Sequence, residues 1–460
     1  MACLRLMLLA IGVAAALDVP ALAQMVVKRK YREQLLAALP SQGEGRASLR
    51  ISPDLRHVAF VKPTGDQQMV VLDGREQSPY DSVPEVLFSP DGKHLAYPAR
   101  QKDQWFVVSD GQTFGPYVRV GVPVFSPDSS RLAFVALLPD GKRTIVVDGK
   151  SSLTCDEVFE GWLIFSPDSQ QLALGVRKGA GWFVLRGDQQ WGPFEFLGSA
   201  SGIQYSGDSR HLAFAALQAG KWHAVWDGRI LEPHDNLGEL ALSRDGKRLA
   251  YAAQDGKTWR VVVDGKPQAP FQAIGEGTLR FSPDGSRLVY AAQTGPGWSV
   301  VLDGKAGPSY AAIGQILFSP DGRSLAYVAK TGTSERVVLD GQPQRAFDRI
   351  GDNTLVFSPG GRRLAYIARS GRATFVVADG KRKPRYDMAG YLTFTPDGRL
   401  PVYAAVKDGK AFTVVEDHQS AHHYDEIWMP PGTALVFVGP TRFRYLGVKQ
   451  DQLFLVEEEL

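Results

Sequence analysis

The sequence predicts an all-β protein built from about eleven four-stranded repeat units of about 38 residues each. The first observation is a segment of the form FSPDG-x-x-LAY, as in Phe318–Tyr327, which recurs along the chain. The second is a V-x-D-G segment, as in Val301–Gly304, which follows most copies of the first segment. The third is the near absence of helical patterns after residue 45. Four-stranded units repeated in tandem without helices are typical of the blades of a β-propeller.

Two tight turns punctuate each unit. In S-P-D-G the proline fixes φ at the first turn position, and the glycine supplies the left-handed conformation that follows. Asp-Gly is the strongest short hairpin signal. The proline position of the first turn marks eleven units, at Pro53, Pro90, Pro127, Pro167, Gly207, Arg244, Pro283, Pro320, Pro359, Pro396 and Pro430. The Asp-Gly turns begin at Asp73, Asp110, Asp148, Asp227, Asp264, Asp303, Asp340 and Asp379. We interpret the aspartates of the first turn as turn caps rather than as a catalytic ring.

The segments between the turns have strand periodicity. In LAY, Leu325 and Tyr327 lie on one face of a strand and Ala326 lies on the other. The β-branched run at 260–263 is typical of a strand buried on both faces. A weaker fourth strand is predicted at positions such as Pro79–Val83, and the one helical pattern is YREQLLAAL at Tyr31–Leu39.

The repeated FSPDG-x-x-LAY segment resembles the WD40-like, TolB-type (PD40) β-propeller repeat of bacterial proteins. The resemblance covers residues 45–460, with departures at YSGDS from Tyr205, LSRDG from Leu242 and WMPPG from Trp428. It implies a β-propeller fold. TolB itself carries a sizeable α/β domain before its propeller, whereas only a short segment, residues 24–44, precedes the repeats here. The chain is therefore similar to the TolB propeller but is not TolB itself.

The first 23 residues have the pattern of a Sec signal peptide. Arg5 precedes an apolar run from Leu6 to Leu17, and Ala21-Leu22-Ala23 predicts cleavage before Gln24. Cys3 lies before the apolar run, so a lipoprotein anchor is not expected. We therefore expect a periplasmic or secreted protein with no transmembrane segment.

Composition narrows the chemistry of the mature chain. Cleavage would leave Cys155 as the one cysteine, which excludes an internal disulfide and a cysteine-based metal site. The formal net charge of +3 is too small to favour nucleic acid as a partner. Eleven units exceed the four to eight blades of ordinary closed propellers. The alternatives are two fused rings or one outsize ring; we expect two rings, with a change near residues 186–244, where the motifs are weakest.

No catalytic motif stands out. The chain lacks a G-x-S-x-G hydrolase elbow, and its repeat does not match an S-x-D-x-G-x-x-W Asp box. His418, His422 and His423 are weak candidates for metal ligands, and we predict no metal or cofactor because His422 and His423 are strand neighbours that face opposite ways. An enzyme such as a polysaccharide hydrolase or lyase remains the alternative, because residues around a central funnel come from different blades and leave no linear motif.

The leading hypothesis is a non-catalytic binding or scaffold propeller of the bacterial cell envelope that recognises a protein, peptide or glycan, with an acidic partner favoured. Tryptophans recur 15 residues after the turn mark, either as blade packing or as a binding platform. Basic residues outnumber acidic ones, fourteen to six, in the loops between second and third strands, either as ordinary solubilising loops or as a binding face for an acidic partner. The candidate binding residues are Arg100, Lys102, Trp105, Arg177, Lys178, Trp182, Trp222, Trp259 and Trp298. The oligomeric state is left open.

Overall fold

The protein is a single ring of eleven four-stranded antiparallel blades. The computed structural model describes residues 25–27, 29–39, 48–198, 201–429 and 434–460. The expected signal peptide, residues 1–23, lies outside the described residues. The all-β prediction and the number of blades are confirmed.

The strands of the blades follow one another along the chain. Blade 1 consists of Arg50–Ile51, Val58–Thr64, Gln67–Leu72 and Arg75–Tyr80, and blade 2 consists of Leu87–Phe88, Leu95–Gln101, Gln104–Ser109 and Gln112–Tyr117. Blade 3 consists of Arg119–Val120 with Val124–Phe125, Leu132–Leu137, Arg143–Val147 and Lys150–Cys155. Blade 4 consists of Glu157–Phe165, Leu172–Lys178, Gly181–Arg186 and Gln189–Phe194. Blade 5 consists of Phe196–Leu197 with Gln204–Tyr205, Leu212–Gln218, Lys221–Trp226 and Arg229–His234. Blade 6 consists of Asn236–Leu242, Leu249–Asp255, Thr258–Val263 and Lys266–Phe271, and blade 7 consists of Arg280–Phe281, Leu288–Thr294, Gly297–Leu302 and Lys305–Tyr310. Blade 8 consists of Ala312–Phe318, Leu325–Thr331, Ser334–Leu339 and Gln342–Phe347.

The last three blades complete the ring. Blade 9 consists of Arg349–Ile350 with Val356–Phe357, Leu364–Ser370, Ala373–Ala378 and Lys381–Tyr386. Blade 10 consists of Met388–Phe394, Pro401–Lys407, Lys410–Val415, His418–Ser420 and the added strand Met25–Val27. Blade 11 consists of Glu426–Trp428 with Val436–Phe437, Arg442–Lys449, Gln452–Glu459 and the added strand Lys30–Ala38. We call Met25–Val27 and Lys30–Ala38 the N-terminal strap.

Each blade has two ends, which we name for use below. The first strands of adjacent blades contact each other, which places them at the centre of the ring. The turns from first to second strand and from third to fourth strand lie at one end, the turn face. The loops from second to third strand and the links between blades lie at the other end, the loop face.

The LAY segment explains why the blades stack. Leu325 and Tyr327 are buried against blade 7, whereas Ala326 is buried against blade 9. A small side chain on one face gives room for the large side chains of the following blade, so every interface interdigitates. The predicted alternation of LAY is confirmed.

The hydrophobic clusters form an unbroken chain of interfaces. One cluster joins blades 4 and 5, and another joins blades 5 and 6, so no boundary occurs at residues 186–244. A further cluster joins blades 10 and 11 to Leu55 and Val58 of blade 1 and closes the circle. The expectation of two fused rings is wrong, because closure depends on the rotation between neighbouring blades and not on the number of blades that is common.

The N-terminal strap is β-strand, and the helix predicted at Tyr31–Leu39 is wrong. Lys30–Ala38 pairs antiparallel with Gln452–Glu459, and Met25–Val27 pairs parallel with His418–Ser420. The segment is rich in helix formers, but an isolated helix of this length is marginal in water, and the ladder of the last blade overrides the preference.

A buried ion pair fixes the strap where it passes between blades 10 and 11. Arg29 Nη1 lies 2.9 Å from Glu458 Oε2, and Glu458 is fully buried. The carboxylate also accepts hydrogen bonds from Thr413, Ser420 and Tyr445, so its charge and its lone pairs are satisfied. Arg29 therefore joins the strap to blades 10 and 11 through one network.

Two local assignments differ from the prediction. The fourth strand of blade 1 is Arg75–Tyr80, directly after the Asp-Gly turn, so the placement at Pro79–Val83 is wrong and most of that stretch belongs to the link. Pro430 lies outside the described residues. The first turn of blade 11 lies instead at 438–441, where the Val438 amide donates to the Arg442 carbonyl.

Candidate functional site

The serine and aspartate of the first turn hold that turn together. Ser319 Oγ donates to Asp321 Oδ1 at 2.6 Å and accepts the Ser324 amide at 2.9 Å. Asp321 Oδ1 also accepts the amide of Arg323. The Ser–Asp bond recurs in blades 1 to 8, and Thr395 and Asp397 form it in blade 10. The interpretation of these aspartates as turn caps agrees with this geometry.

These hydrogen bonds favour the ionised carboxylates. The Ser126 hydroxyl and the Ser130 amide lower the pKa of Asp128 to about 2. The Ser282 and Ser286 hydroxyls do the same for Asp284, whose pKa also falls to about 2. A carboxylate that accepts several hydrogen bonds is a structural acceptor and a poor proton donor near neutral pH.

The Asp-Gly turns tie the third strand to the second. Asp303 and Gly304 both have positive φ, at 51° and 79°, as a type I′ turn requires. Asp303 Oδ1 accepts the Leu288 amide at 2.8 Å, and Oδ2 faces Arg287 Nε at 3.2 Å. The positive φ predicted for this turn is present.

The arginine that meets the Asp-Gly turn also clamps the next blade. Arg287 Nη1 donates to the Arg323 carbonyl at 3.3 Å, and its guanidinium lies 5.9 Å from the Phe318 ring centre. Arg248 repeats the arrangement on Phe281 at 4.9 Å. The same clamp is made by Arg131 and Arg363. We call this set of contacts the arginine clamp.

The recurring tryptophans lie near the loop face and pack on their own blades or against the next blade. A Cβ atom placed on Gly238 would lie 3.3 Å from Trp259 Cζ3, so this ring covers the first strand of its blade. Trp222 covers Gly198 in the same way. Trp182 is buried between Phe159 and Phe196, and Trp298 packs in the interface of blades 7 and 8. These contacts are those of blade packing, and Trp105 also lines a groove.

Carboxylates in or next to the inter-blade links pair with three of the fourteen basic loop residues. Arg177 pairs with Glu157 at 2.7 Å. Lys178 donates to Gln190 and lies over the Phe183 ring. Further pairs join Lys221 to Asp235 and Lys410 to Asp425. The count of fourteen basic residues against six acidic ones included only one of the two kinds of loop on this face.

The link carboxylates form a third repeated motif that the sequence interpretation missed. An acidic residue follows the fourth strand of seven blades, at Asp81, Asp156, Glu195, Asp235, Asp348, Asp387 and Asp425. Each accepts a backbone amide of the neighbouring loop, as Asp81 Oδ2 does from Lys102 at 2.5 Å. This bond lowers the pKa of Asp81. The signal was present in the sequence as a carboxylate at a fixed place in the unit.

A groove opens on the loop face between blades 2 and 3. Its volume is about 610 Å³. The walls are mostly apolar and come from Pro84, Pro98, Trp105, Val120, Val122, Val135 and Leu137, with Arg119 and Arg143 among the lining residues. Val122 and Val118 are 49% and 45% exposed. Arg143 binds the Asp156 carbonyl, whereas the Arg119 guanidinium has no partner among the described residues.

Two other predicted binding residues lie beside this groove. Arg100 lies near the end of the second strand of blade 2, opposite Trp105 of the third strand, and Lys102 lies exposed in the loop that joins the two strands. Their charges act on Asp81, which accepts the Lys102 amide. The structure thus gathers Arg100, Lys102 and Trp105 near one groove, whereas Arg177 and Lys178 lie on blade 4.

The three histidines of residues 416–426 are held apart. His422 stacks on Tyr31 of the strap with 3.5 Å between ring centres, and His423 packs on Phe412. His418 lies in the fourth strand of blade 10, and its carbonyl accepts a hydrogen bond from Arg29. Within the described ranges, no group of three or more His, Cys, Asp or Glu side chains could hold a metal ion.

Side chains of the innermost strands stitch neighbouring blades together. Gln315 exchanges two hydrogen bonds with the backbone of Leu355 in the next blade. Glu239 accepts the Leu279 amide at 3.1 Å, and burial raises the pKa of its carboxyl group. Burial also raises the pKa of the Cys155 thiol to about 11. The Glu239 carboxylate is therefore engaged in blade-to-blade contact.

These features define a β-propeller with four-stranded blades and an N-terminal strand that completes the last blade. No family model matches the chain, and no curated protein matches it. The solved structures similar to it include a eukaryotic initiation factor, with 14% identity, a TM-score of 0.43, and coverage of 81% of this chain and 97% of that chain. Within the part of the chain that the structure describes, no helix is long and apolar enough to span a membrane.

Two further solved propellers are similar. The Dos1 propeller has 13% identity and a TM-score of 0.31, and the match covers 64% of this chain and 90% of that chain. The Cps50 (Swd1) β-propeller domain of Myceliophteria thermophila has 14% identity and a TM-score of 0.25, with coverage of 55% and 94%. Identities and scores in this range support no statement about function.

Proposed function

We propose that the protein is a non-catalytic binding propeller of the bacterial cell envelope, related to the TolB-type repeat proteins, and that it holds a polypeptide partner on its loop face. The groove between blades 2 and 3 carries this proposal. It combines the exposed Val122 side chain, the Trp105 ring and the Arg119 guanidinium, which has no partner among the described residues, in one concave surface. Such a mixture of apolar anchor site and single charge is typical of protein recognition.

The groove favours a polypeptide over a glycan. Its lining is largely apolar and includes one aromatic ring, and the Arg143 guanidinium is already bound to the Asp156 carbonyl. An aliphatic side chain of the partner would fill the space between Val122 and Trp105. A partner carboxylate would pair with Arg119, in keeping with the preference for an acidic partner.

The first test uses two variants of equal chemistry. Val122→Asp places a charge in the groove, and Met388→Asp places one on blade 10, where the Met388 side chain is 65% exposed. Proteins crosslinked in envelope extract to the wild-type chain are identified, and the binding of each purified candidate is then measured. We expect Val122→Asp to weaken binding at least tenfold, whereas Met388→Asp leaves it unchanged.

Arg119 provides the second test. Arg119→Glu should slow association with the partner and reverse its salt dependence, because exposed rim charges act mainly on the association rate. A partner whose binding ignores both Val122→Asp and Arg119→Glu would overturn the placement of the site in this groove.

We also propose that residues 1–23 direct export and that the mature protein starts at Gln24 without a lipid. The pattern of Arg5, the apolar run and Ala21-Leu22-Ala23 supports this. N-terminal sequencing of protein recovered from the periplasm should give Gln24 as the first residue. Recovery of the intact chain from the cytoplasm would contradict export.

A further inference from the structure

The interface between blades 8 and 9 differs from its neighbours on the turn face. Ser324 occupies the position that holds the clamping arginine in blades 3, 6, 7 and 9. A pocket of about 310 Å³ opens there, and Ser324, Phe357 and Arg362 are among its lining residues. The lining thus includes the residues in register with a clamping arginine, with the ring beneath it and with the residue whose carbonyl it binds, and it also includes Leu339, which directly precedes Asp340.

The acceptors of the missing arginine are still present. Asp340 Oδ1 accepts the Leu325 amide at 2.8 Å, as its counterparts do, but its Oδ2 has no partner among the described residues. Phe357 stands in the register of Phe318, the ring on which Arg287 lies. The Arg362 carbonyl stands in the register of the Arg323 carbonyl, which accepts from Arg287.

In other blades without a clamping arginine, a different cationic or histidine side chain binds the carboxylate or the carbonyl that the arginine would bind. His57, His94 and His211 bind the aspartates of blades 1, 2 and 5 at 2.7 Å. In blade 4, Gly187 stands at the position of the aspartate, and the preceding residue, Arg186, reaches the Arg210 carbonyl. In blade 10, Lys383 pairs with Glu416. Among the described interfaces, the one between blades 8 and 9 keeps the aspartate and the aromatic ring without a cation.

We propose that this pocket binds an arginine side chain of a partner polypeptide. The same chain shows four times how a guanidinium satisfies a carboxylate, a carbonyl and an aromatic face at such an interface. A lysine ammonium cannot stack on the ring while it donates in two directions in one plane, so arginine is preferred. The pocket lies on the turn face, opposite the groove of the proposed function, and does not rest on it.

Arg362 is a like charge at the mouth of this pocket. At equivalent positions Lys93 and Arg323 pair with the aspartate of their own turn, but Gly360 replaces that aspartate in blade 9. Arg362 is exposed and weakens the attraction of a second guanidinium. Its removal should therefore strengthen binding.

The test uses the full mature chain and a short peptide, acetyl-Gly-Arg-Gly-amide, with lysine and citrulline versions as controls. Calorimetric titration should give one equivalent of binding for the arginine peptide, several-fold tighter for Arg362→Ala. Ser324→Arg fills the pocket from within, so it should raise the melting temperature and reduce peptide affinity at least tenfold. Equal binding of the three peptides, or unchanged binding by Ser324→Arg, would overturn the proposal.

A matched variant creates the same vacancy elsewhere. Arg287→Ser removes the clamp between blades 7 and 8 and leaves Asp303, Phe318 and the Arg323 carbonyl in place. The folded variant should bind two equivalents of the arginine peptide, and the peptide should restore part of its lost melting temperature. A folded Arg287→Ser protein that binds no second equivalent would contradict the inference; should it fail to fold, the Ser324→Arg result decides.

Discussion

At the scale of the residue, one buried serine organises each first turn. Ser319 is fully buried, and its hydroxyl both donates to Asp321 and accepts the Ser324 amide. The side chain thus replaces water for a charged acceptor and a backbone donor at once. Because all partners lie within six residues, this arrangement was accessible to prediction from S-P-D-G alone.

Removal of the Ser319 hydroxyl should destabilise the protein more than removal of the Ser358 hydroxyl. Ser319→Ala leaves both Asp321 and the Ser324 amide short of a partner, which costs about 1–3 kcal/mol. Ser358 accepts the Arg363 amide, but its turn has Gly360 in place of the aspartate, so Ser358→Ala loses less. The midpoints of urea denaturation compare the two, and equal losses would show that the Ser–Asp bond contributes nothing.

The turn aspartates also predict the response to acid. Hydrogen bonds from serine hydroxyls lower the pKa of Asp128 and Asp284 to about 2, from 3.8 in the unfolded chain. A lowered pKa in the folded state gives stability that is complete above pH 4 and is lost as the pH falls towards 2. We therefore expect these groups to leave the melting temperature independent of pH above pH 4. Below pH 4 the melting temperature should fall as the carboxylates are protonated.

Asparagine variants test the origin of that decline. The double variant Asp128→Asn and Asp284→Asn keeps an acceptor oxygen at each turn but cannot bind a proton. Its melting temperature should fall less steeply between pH 4 and pH 2 than that of the wild-type protein. Parallel curves for the two proteins would assign the acid sensitivity to other carboxylates.

At the scale of the element, the N-terminal strap shows the limit of local sequence information. Glu33, Gln34, Leu35 and Leu36 all favour helix, and nothing near them in sequence indicates a strand. Their partner, Gln452–Glu459, lies more than 400 residues away. The link carboxylates were missed for a different reason, because their effect on loop charge appears only when two separate loops meet at one face.

Loss of Arg29 should be among the most damaging single changes. Arg29→Met removes the partner of Glu458, which is fully buried, and leaves an uncompensated charge that costs about 3–5 kcal/mol. Adding Glu458→Gln to Arg29→Met removes that charge, so the double variant should recover part of the loss. Thermal unfolding measures both, and a double variant less stable than Arg29→Met would contradict this account.

At the scale of the whole molecule, closure as one ring could not be predicted from the repeats. The spacing of the marks gives the number of blades, but not the small rotation between neighbours that decides where a ring closes. The weak motifs near Gly207 and Arg244 are local losses of turn chemistry. Blades 4, 5 and 6 around them remain packed through continuous hydrophobic clusters.

A single ring predicts that neither half of the chain folds alone. Residues 48–234 and 235–460, expressed separately, would each expose two open blade faces and lose closure by the strap. We expect both fragments to lack a cooperative melting transition, whereas the mature chain melts cooperatively with the circular dichroism of an all-β protein. A fragment with its own cooperative transition would favour independent rings.

The N-terminal strap is synthesised long before the strand with which it pairs. Lys30 pairs with Glu459, so about 430 residues separate the two halves of one ladder. At roughly 5–20 residues per second, a ribosome needs about 20 to 90 seconds to pass from one to the other. During that interval a nine-residue strand with exposed Tyr31 and Leu35 waits without its partner, and unpaired strand edges promote aggregation. A chain that is kept unfolded until its synthesis is complete avoids this hazard, because both strands then become available together.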